Sequence, residues 1–330
     1  MHVAISTAIG ALAGLYQIVA LAQAPKSAPV DYPSRPLRII HPAPPGGASD
    51  VIVRTVAQKL STAWSQPVVV DNRPGAHGLI ANELAARAKP DGYTLLYGTV
   101  GTIAINSGLY PKLPYRMPDD FAAVTQFADQ ANLVLVSASL PVKSLAELVL
   151  LAKSKPGELS FGSAGSGSAT HLGPEMFRIR AGIDMKHVPY KGAAAAATAL
   201  AGGEVQVFFV SPVTAMPFIR SGRIRALAVT TRARIPQLPE VPTVDESGYA
   251  GFSYAAWSGM LAPGKTPHRI VEKLHSEIVR MLKTQELADL LLRDGATPAW
   301  SASPKAFDAL IRSEIVRWAG VIRQTGARVE

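Results

Sequence analysis

Short apolar runs alternate with longer amphipathic ones along most of this chain, and that alternation limits what it can fold into. Residues 37–40 read as a strand; beyond a proline-rich loop, 49–64 read as a helix with Ile52, Val56 and Leu60 on one face. Residues 68–70 form a short buried strand, followed by the turn Asn72-Arg73-Pro74-Gly75. A helix over about 78–89 ends at Pro90-Asp91-Gly92, and 93–97 is the next strand. This rhythm predicts an α/β fold whose parallel sheet is covered on both faces. Further strands are expected at 133–136, 159–162, 205–210 and 224–229. The capping box Ser144-Leu145-Ala146-Glu147 opens a helix to about residue 154. Two amphipathic helices close the chain. Residues 267–283 carry Ile270, Leu274 and Ile278 in register, and the last helix starts at Ser303-Pro304 and carries Phe307, Leu310, Ile311, Ile315 and Trp318. A length of 330 residues exceeds one ordinary core. Two α/β lobes are therefore expected, with a ligand in the crevice beyond the carboxyl ends of the strands.

The first 24 residues lack any charged side chain and are nearly all apolar or small from 3 to 22. They end in Ala20-Leu21-Ala22 and Ala22-Gln23-Ala24, both of the small-x-small kind that an export peptidase cuts. Residues 1–24 are thus expected to be a signal peptide, cleaved after Ala22 or Ala24, which places the mature protein outside the cytoplasm. The alternative is an uncleaved anchor, since the run is long enough to span a bilayer. Lys and Arg number 33 against 24 Asp and Glu, a net +9 that admits anionic partners. With no cysteine, disulfides, thiolate metal sites and a cysteine nucleophile are excluded.

Three loops have the composition to hold an anion. In Pro42-Ala43-Pro44-Pro45-Gly46-Gly47-Ala48-Ser49-Asp50 the prolines stiffen the approach, and unpaired N–H groups of the helix start point into the crevice. Asp50 suits the first helical turn and can brace the loop from behind. The second loop, Ser163-Ala164-Gly165-Ser166-Gly167-Ser168, puts small hydroxyls and backbone donors before another helix. It suits a carboxylate or phosphate without a formal positive charge. The third, His187-Val188-Pro189-Tyr190-Lys191-Gly192, offers Tyr190 and, less readily, Lys191.

Competing signals are weaker. Gly259-Met260-Leu261-Ala262-Pro263-Gly264-Lys265-Thr266 fits the phosphate-loop pattern, but Pro263 and Pro267 bracket the Gly-Lys-Thr and remove donors that a cradle needs. A strand turning into a helix is the simpler expectation there. No serine sits in a G-x-S-x-G elbow; His171 lies near several serines, which keeps a secreted serine/histidine-type hydrolase as the alternative. The seven histidines form no i, i+4 pair, so no metal and no cofactor are expected. Arg220, Arg223, Arg225, Arg232 and Arg234 form a basic neighbourhood without interleaved aromatics, which speaks against nucleic acid.

The order of these loops, with Tyr32-Pro33-Ser34-Arg35-Pro36, Asp71-Asn72-Arg73-Pro74-Gly75-Ala76, Pro90-Asp91-Gly92-Tyr93-Thr94-Leu95-Leu96, Arg225-Ala226-Leu227-Ala228-Val229-Thr230 and Leu238-Pro239-Glu240-Val241-Pro242-Thr243, resembles the Bug-type receptors of tripartite tricarboxylate transporters. The resemblance covers nearly the whole mature chain. It implies a two-lobe periplasmic binding protein fold of type II, with the ligand in the interdomain cleft, and a receptor rather than an enzyme. Such a receptor captures a small mono-, di- or tricarboxylate and presents it to an integral-membrane permease. It also implies that the loops matching Pro45, Gly46, Gly47, Ala48, Ser49 and Asp50 and matching Ser163, Ala164, Gly165, Ser166, Gly167 and Ser168 pinch one carboxylate. A more variable wall is expected to include Thr99, Thr102 and Ser211, with Tyr190 nearby. Lobe 1 is expected over 31–130 and 253–330 and lobe 2 over 131–252, with crossings near 129–133 and 251–258. Three positions depart from the family's pattern: His41 replaces an apolar residue, His77 interrupts a glycine-rich turn, and Gln206 stands where Asp is common.

Overall fold

The computed structural model describes residues 32–293 and 295–327. The expected signal segment and its cleavage sites lie outside the described residues. The chain opens with β1 (Leu37–His41), α1 (Ala48–Trp64), β2 (Val68–Asn72), α2 (Leu79–Ala86) and β3 (Thr94–Thr99). A helical segment, Gly101–Ile105, runs into α3 (Asn106–Leu109) and precedes the long strand β4 (Phe121–Ala131). The middle comprises β5 (Leu133–Ser137), α4 (Leu145–Ser154), β6 (Ser160–Ser163), α5 (Ala169–Ala181) and β7 (Lys186–Pro189). It continues through α6 (Ala193–Gly202), β8 (Val207–Val210), α7 (Pro212–Arg220) and β9 (Ile224–Val229). The last elements are β10 (Ala255–Pro263), α8 (His268–Leu282), α9 (Gln285–Arg293), β11 (Ala296–Pro298) and α10 (Pro304–Thr325).

These strands form two sheets, in the orders β11-β4-β10-β3-β1-β2 and β7-β6-β8-β5-β9. The expectation of a parallel sheet is corrected to two mixed sheets. Strands β1, β2 and β3 are parallel, as are β6, β7 and β8, but β10 and β11 run antiparallel in the first sheet and β5 in the second. The reason is connectivity. Strand β4 leaves the first sheet directly for β5, with no crossover helix, and β10 returns to lie beside β4. A departing strand and its returning neighbour must point in opposite directions.

Local signals set the helix starts. Ser303 accepts from the Ala306 N–H at 3.2 Å ahead of Pro304, and Ser144 accepts from the Glu147 N–H at 3.2 Å. The Glu147 carboxylate reaches back one residue further than a standard box, to the Lys143 N–H at 2.7 Å. On α10 the buried face holds Phe307, Ile311 and Trp318, as its period predicts, and also Glu314. That carboxylate accepts from the Trp318 indole at 3.0 Å and from Arg317 at 3.1 Å, which makes its burial tolerable.

The two passages between the sheets are tied by one side chain. Thr230 is fully buried; its hydroxyl donates to the Tyr254 carbonyl at 2.7 Å and accepts from the Asn132 N–H at 3.1 Å. Its own N–H donates to the Asn132 carbonyl at 2.9 Å, and its carbonyl accepts from the Tyr254 N–H at 2.7 Å. Replacing Thr230 by Val keeps the shape and removes two hydrogen bonds from a dry site. Urea titration should show a loss of about 2–3 kcal/mol, and a loss below about 0.5 kcal/mol would refute this role for the hydroxyl.

Candidate functional site

The loops that leave β1, β2 and β3 gather at the carboxyl ends of those parallel strands. There they meet the start of α5 from the second sheet around a cleft of about 480 Å³. Ser49 lines it from the first turn of α1, and Gly167, Ser168 and Ala169 line it from the start of α5. Two helix N-termini thus border one cavity, each supplying N–H groups without intrahelical partners and a partial positive charge. Among the described residues, no Asp, Glu, Lys or Arg lines the cleft. Its polar side chains are imidazoles, hydroxyls and one amide.

The first loop is held from behind, as the sequence suggests. Asp50 is 3% exposed; one carboxylate oxygen accepts from the Gly46 N–H at 3.0 Å and Arg54 at 2.8 Å, the other from Asn72 at 2.8 Å. The Arg54 bond, joined by those from Asn72 and Gly46, outweighs burial and holds this carboxyl well below the usual range. Gly46 takes φ +89°, which lets the chain turn sharply into the helix. At the end of β1, His41 is 1% exposed and packs its ring 5.2 Å from that of Tyr97. Its Nε2 lies 3.1 Å from the Ser49 hydroxyl and its Nδ1 3.1 Å from the Asn72 amide nitrogen. Burial lowers its pKa, against the opposing pull of the Ala43 carbonyl and Asp50.

The second loop consumes more of its own donors than expected. The Ala164 N–H goes to the Thr170 hydroxyl at 2.8 Å, Gly165 to the Ser163 hydroxyl at 3.1 Å, and Gly167 to His171 Nδ1 at 3.0 Å. Behind it, the His171 and His187 rings stack with centroids 3.7 Å apart, and Ser163 pairs with His187 Nε2 at 2.6 Å. Burial pushes both histidines down to about 4, and His187 adds a repulsive charge effect at His171.

Of the residues singled out from sequence, Ser49, Thr99, Thr102, Gly167 and Ser168 meet at the cleft. Pro45, Gly46, Gly47 and Asp50 build the first loop without lining the cavity, as Ser163, Ala164, Gly165 and Ser166 build the second, and Ala48 opens α1. Tyr190 turns toward the second sheet, where it packs beside its core, and Ser211 faces Thr214 at the start of α7. Neither these two nor Lys191 lines the cleft. Sequence reasoning assigned no site role to Tyr97, Asn106 or Ala169, and marked His41 and His77 only as departures. Asn106 fixes the turn after β2 by donating to the His77 carbonyl at 2.9 Å. In that turn Ala76 and His77 have φ of +45° and +52° between two positive-φ glycines, a curl that offers the His77 ring to the cleft. The rule that ligands sit beyond parallel strand ends would have found this wall.

The competing signals resolve locally. In the phosphate-loop-like stretch the Gly264 N–H donates to the Asp120 carbonyl at 2.8 Å and the Thr266 N–H to the Pro263 carbonyl at 2.9 Å. Those donors are committed, and the segment is the end of β10. Gln206 accepts from the Ser160 N–H at 2.9 Å and hydroxyl at 3.0 Å, so that departure serves local hydrogen bonding. His171 spends Nδ1 on the Gly167 N–H, and among the described residues its ring pairs with no serine hydroxyl.

The sequence matches the profile of the tripartite tricarboxylate transporter family receptors over residues 52–327. It is 36% identical over 325 residues to Protein BugT of Bordetella pertussis, covering 98% of this chain and 99% of that one. Among solved structures, R. palustris Rpa4515 with adipate superposes with a TM-score of 0.77 at 36% identity, covering 90% of this chain and 99% of that one. MatC from Rhodopseudomonas palustris with bound malate gives 0.72 at 32% identity, covering 88% and 100%.

The histidine stack predicts a sign for acid sensitivity. A histidine whose folded pKa lies below its unfolded value near 6.5 favours the native state only while neutral. Stability should therefore fall as pH drops from about 6.5 to about 4. Thermal melts of His187→Gln should show a distinctly shallower fall over that range; an unchanged slope would mean the stack is not the acid-sensitive element.

Proposed function

The chain belongs to the tripartite tricarboxylate transporter receptor family, and from that premise we propose that it is a periplasmic receptor that captures a small organic carboxylate in the cleft between its two lobes and presents it to a membrane permease. The observation that carries this reading is the pair of helix starts, one from each sheet, bordering a single cavity that no charged side chain among the described residues lines. Each helix start favours an anion by roughly 0.3–1 kcal/mol, more where water is excluded. Neutral donors on both sides reward closure of the lobes over the anion without trapping it in a permanent ion pair.

In this reading Ser49, Thr99, Gly167 and Ser168 touch the solute, and the rest of the two loops shapes the backbone around it. Lobe 1 takes residues 31–130 and 253–330, lobe 2 takes 131–252, and the passages at Asn132 and Thr230–Tyr254 act as the hinge. Export depends on the first 24 residues. The protein binds and does not turn over its solute. Ser163, the serine nearest a histidine, is fully buried and off the cleft. The adipate and malate in the two related structures make dicarboxylates the first solutes to try.

Isothermal titration against mono-, di- and tricarboxylates, beside an ester and amide turnover screen, tests the reading. Stoichiometric binding without turnover is expected; turnover would favour the hydrolase. A sharper variant is Ser168→Asp. Aspartate is as good an N-cap as serine, so α5 and the melting temperature should hold. A fixed negative charge in the cleft should weaken carboxylate binding at least about 30-fold, as like charges brought together in a poorly solvated site cost several kcal/mol. Undiminished affinity would place the carboxylate elsewhere.

A further inference from the structure

The turn after β2 keeps a residue that its backbone disfavours. Between Gly75 (φ +120°) and Gly78 (φ +86°), Ala76 and His77 hold φ of +45° and +52°, where a β-carbon is crowded and glycine fits freely. The neighbours fix this curl. The Gly78 N–H donates to the Gly75 carbonyl at 2.9 Å, the Asn106 amide donates to the His77 carbonyl at 2.9 Å, and a β-carbon at Gly78 would stand 2.5 Å from the Thr102 methyl. Backbone strain held in this way gathers at ligand clamps. Ala76 stays outside the cleft lining, whereas His77 belongs to it. His77 is exposed, and among the described residues its ring has no hydrogen bond, ion pair or ring contact. The other polar side chains of the cleft are engaged within the protein. His41 pairs with Ser49 at 3.1 Å, Thr99 with Thr102 at 3.4 Å, and Ser168 with Thr170 at 2.9 Å. The Tyr97 phenol bonds Ser258, and the Asn106 amide is the group that holds the His77 carbonyl. Among the described residues, His77 is therefore the one polar side chain of the lining left without a protein partner.

We infer that His77 is a specificity-determining residue: its imidazole meets a second acidic group on the solute, so the cleft prefers a dicarboxylate to a monocarboxylate of the same length. The inference rests on reading the cleft as a carboxylate site, and it adds the residue that reads the solute's other end. An imidazole carries at least one N–H in either protonation state, so it offers a carboxylate a donor whichever nitrogen bears the proton. Among the described residues no Asp or Glu lines the cleft to compete for that donor. Hydrogen bonds to an ionised group are the strong ones, and a methyl in place of the second carboxylate would leave the donor facing a group that cannot accept.

Isothermal titration with two matched pairs, succinate beside butanoate and adipate beside hexanoate, tests it. Wild-type protein should bind at least one diacid about tenfold or more tightly than its matched monoacid, and His77→Gly should cut that preference to within about threefold, with the loss falling on the diacid. Glycine suits this backbone, so the melting temperature of ligand-free His77→Gly should hold or rise. Ala76→Gly relaxes the same kind of strain outside the cleft lining and should leave the preference unchanged. A preference that survives His77→Gly, or that falls equally in Ala76→Gly, overturns the inference. So does a lower melting temperature for His77→Gly, which would assign the ring to the fold. Equal binding of diacid and monoacid by wild-type protein overturns it too, while the receptor reading stands. Where wild-type protein binds none of the four acids the inference falls, and where it binds no mono-, di- or tricarboxylate at all the receptor reading falls with it.

Discussion

A buried carboxylate needs partners, and the partners of Asp50 define the front of this protein. Its oxygens take hydrogen bonds from the Gly46 backbone, Arg54 on the next turn of α1, and Asn72 at the end of β2. Each bond removes a freedom. The first fixes the proline-glycine loop, the second anchors the side chain to its own helix, and the third ties β2 to the loop that leaves β1. Removing the carboxylate would leave the Gly46 and Asn72 donors without this acceptor; removing Arg54 or Asn72 would leave a charge in a dry site. The cleft inherits its shape from this arrangement, because Ser49 lies one residue before the carboxylate and His41 packs beside it.

The second sheet meets that fixed edge with a loop stiffened differently. Three of its backbone donors are turned inward, to Ser163, Thr170 and His171, and stacked imidazoles fill the space behind. What remains for a solute is the start of α5 and the cavity between. Among the described residues neither side brings a formal charge to the lining, although the chain carries a net +9. On the proposed function, attraction at long range and recognition at contact are thus separated: the net charge supplies the first, and helix ends with hydroxyls supply the second.

Much of this was legible in the chain, and what escaped did so for stated reasons. The strands and helices from Leu37 to Thr99 follow their hydrophobic periods, and the caps at Ser144 and Ser303 sit where their sequences put them. No local pattern marks strand β4, because 121–131 is buried on both faces for much of its length and carries no period-two alternation. The direction of β10 depends on where the chain re-enters the first sheet, which no local pattern encodes. Tyr190 and Ser211 follow strands of the second sheet, and a loop's position after a strand does not say which way its side chains turn.

By itself the sequence determined the two loops rich in glycine and small residues, the helices they start, and the acidic residue that braces the first. These depend on backbone freedom, capping and hydrogen bonding within a few positions. Only the tertiary structure decided that the loops face each other and that the curl of Ala76 and His77 joins the wall. The physical reason is distance along the chain: His41 and Asn72 are 31 residues apart, and they come into contact only once β1 and β2 have paired.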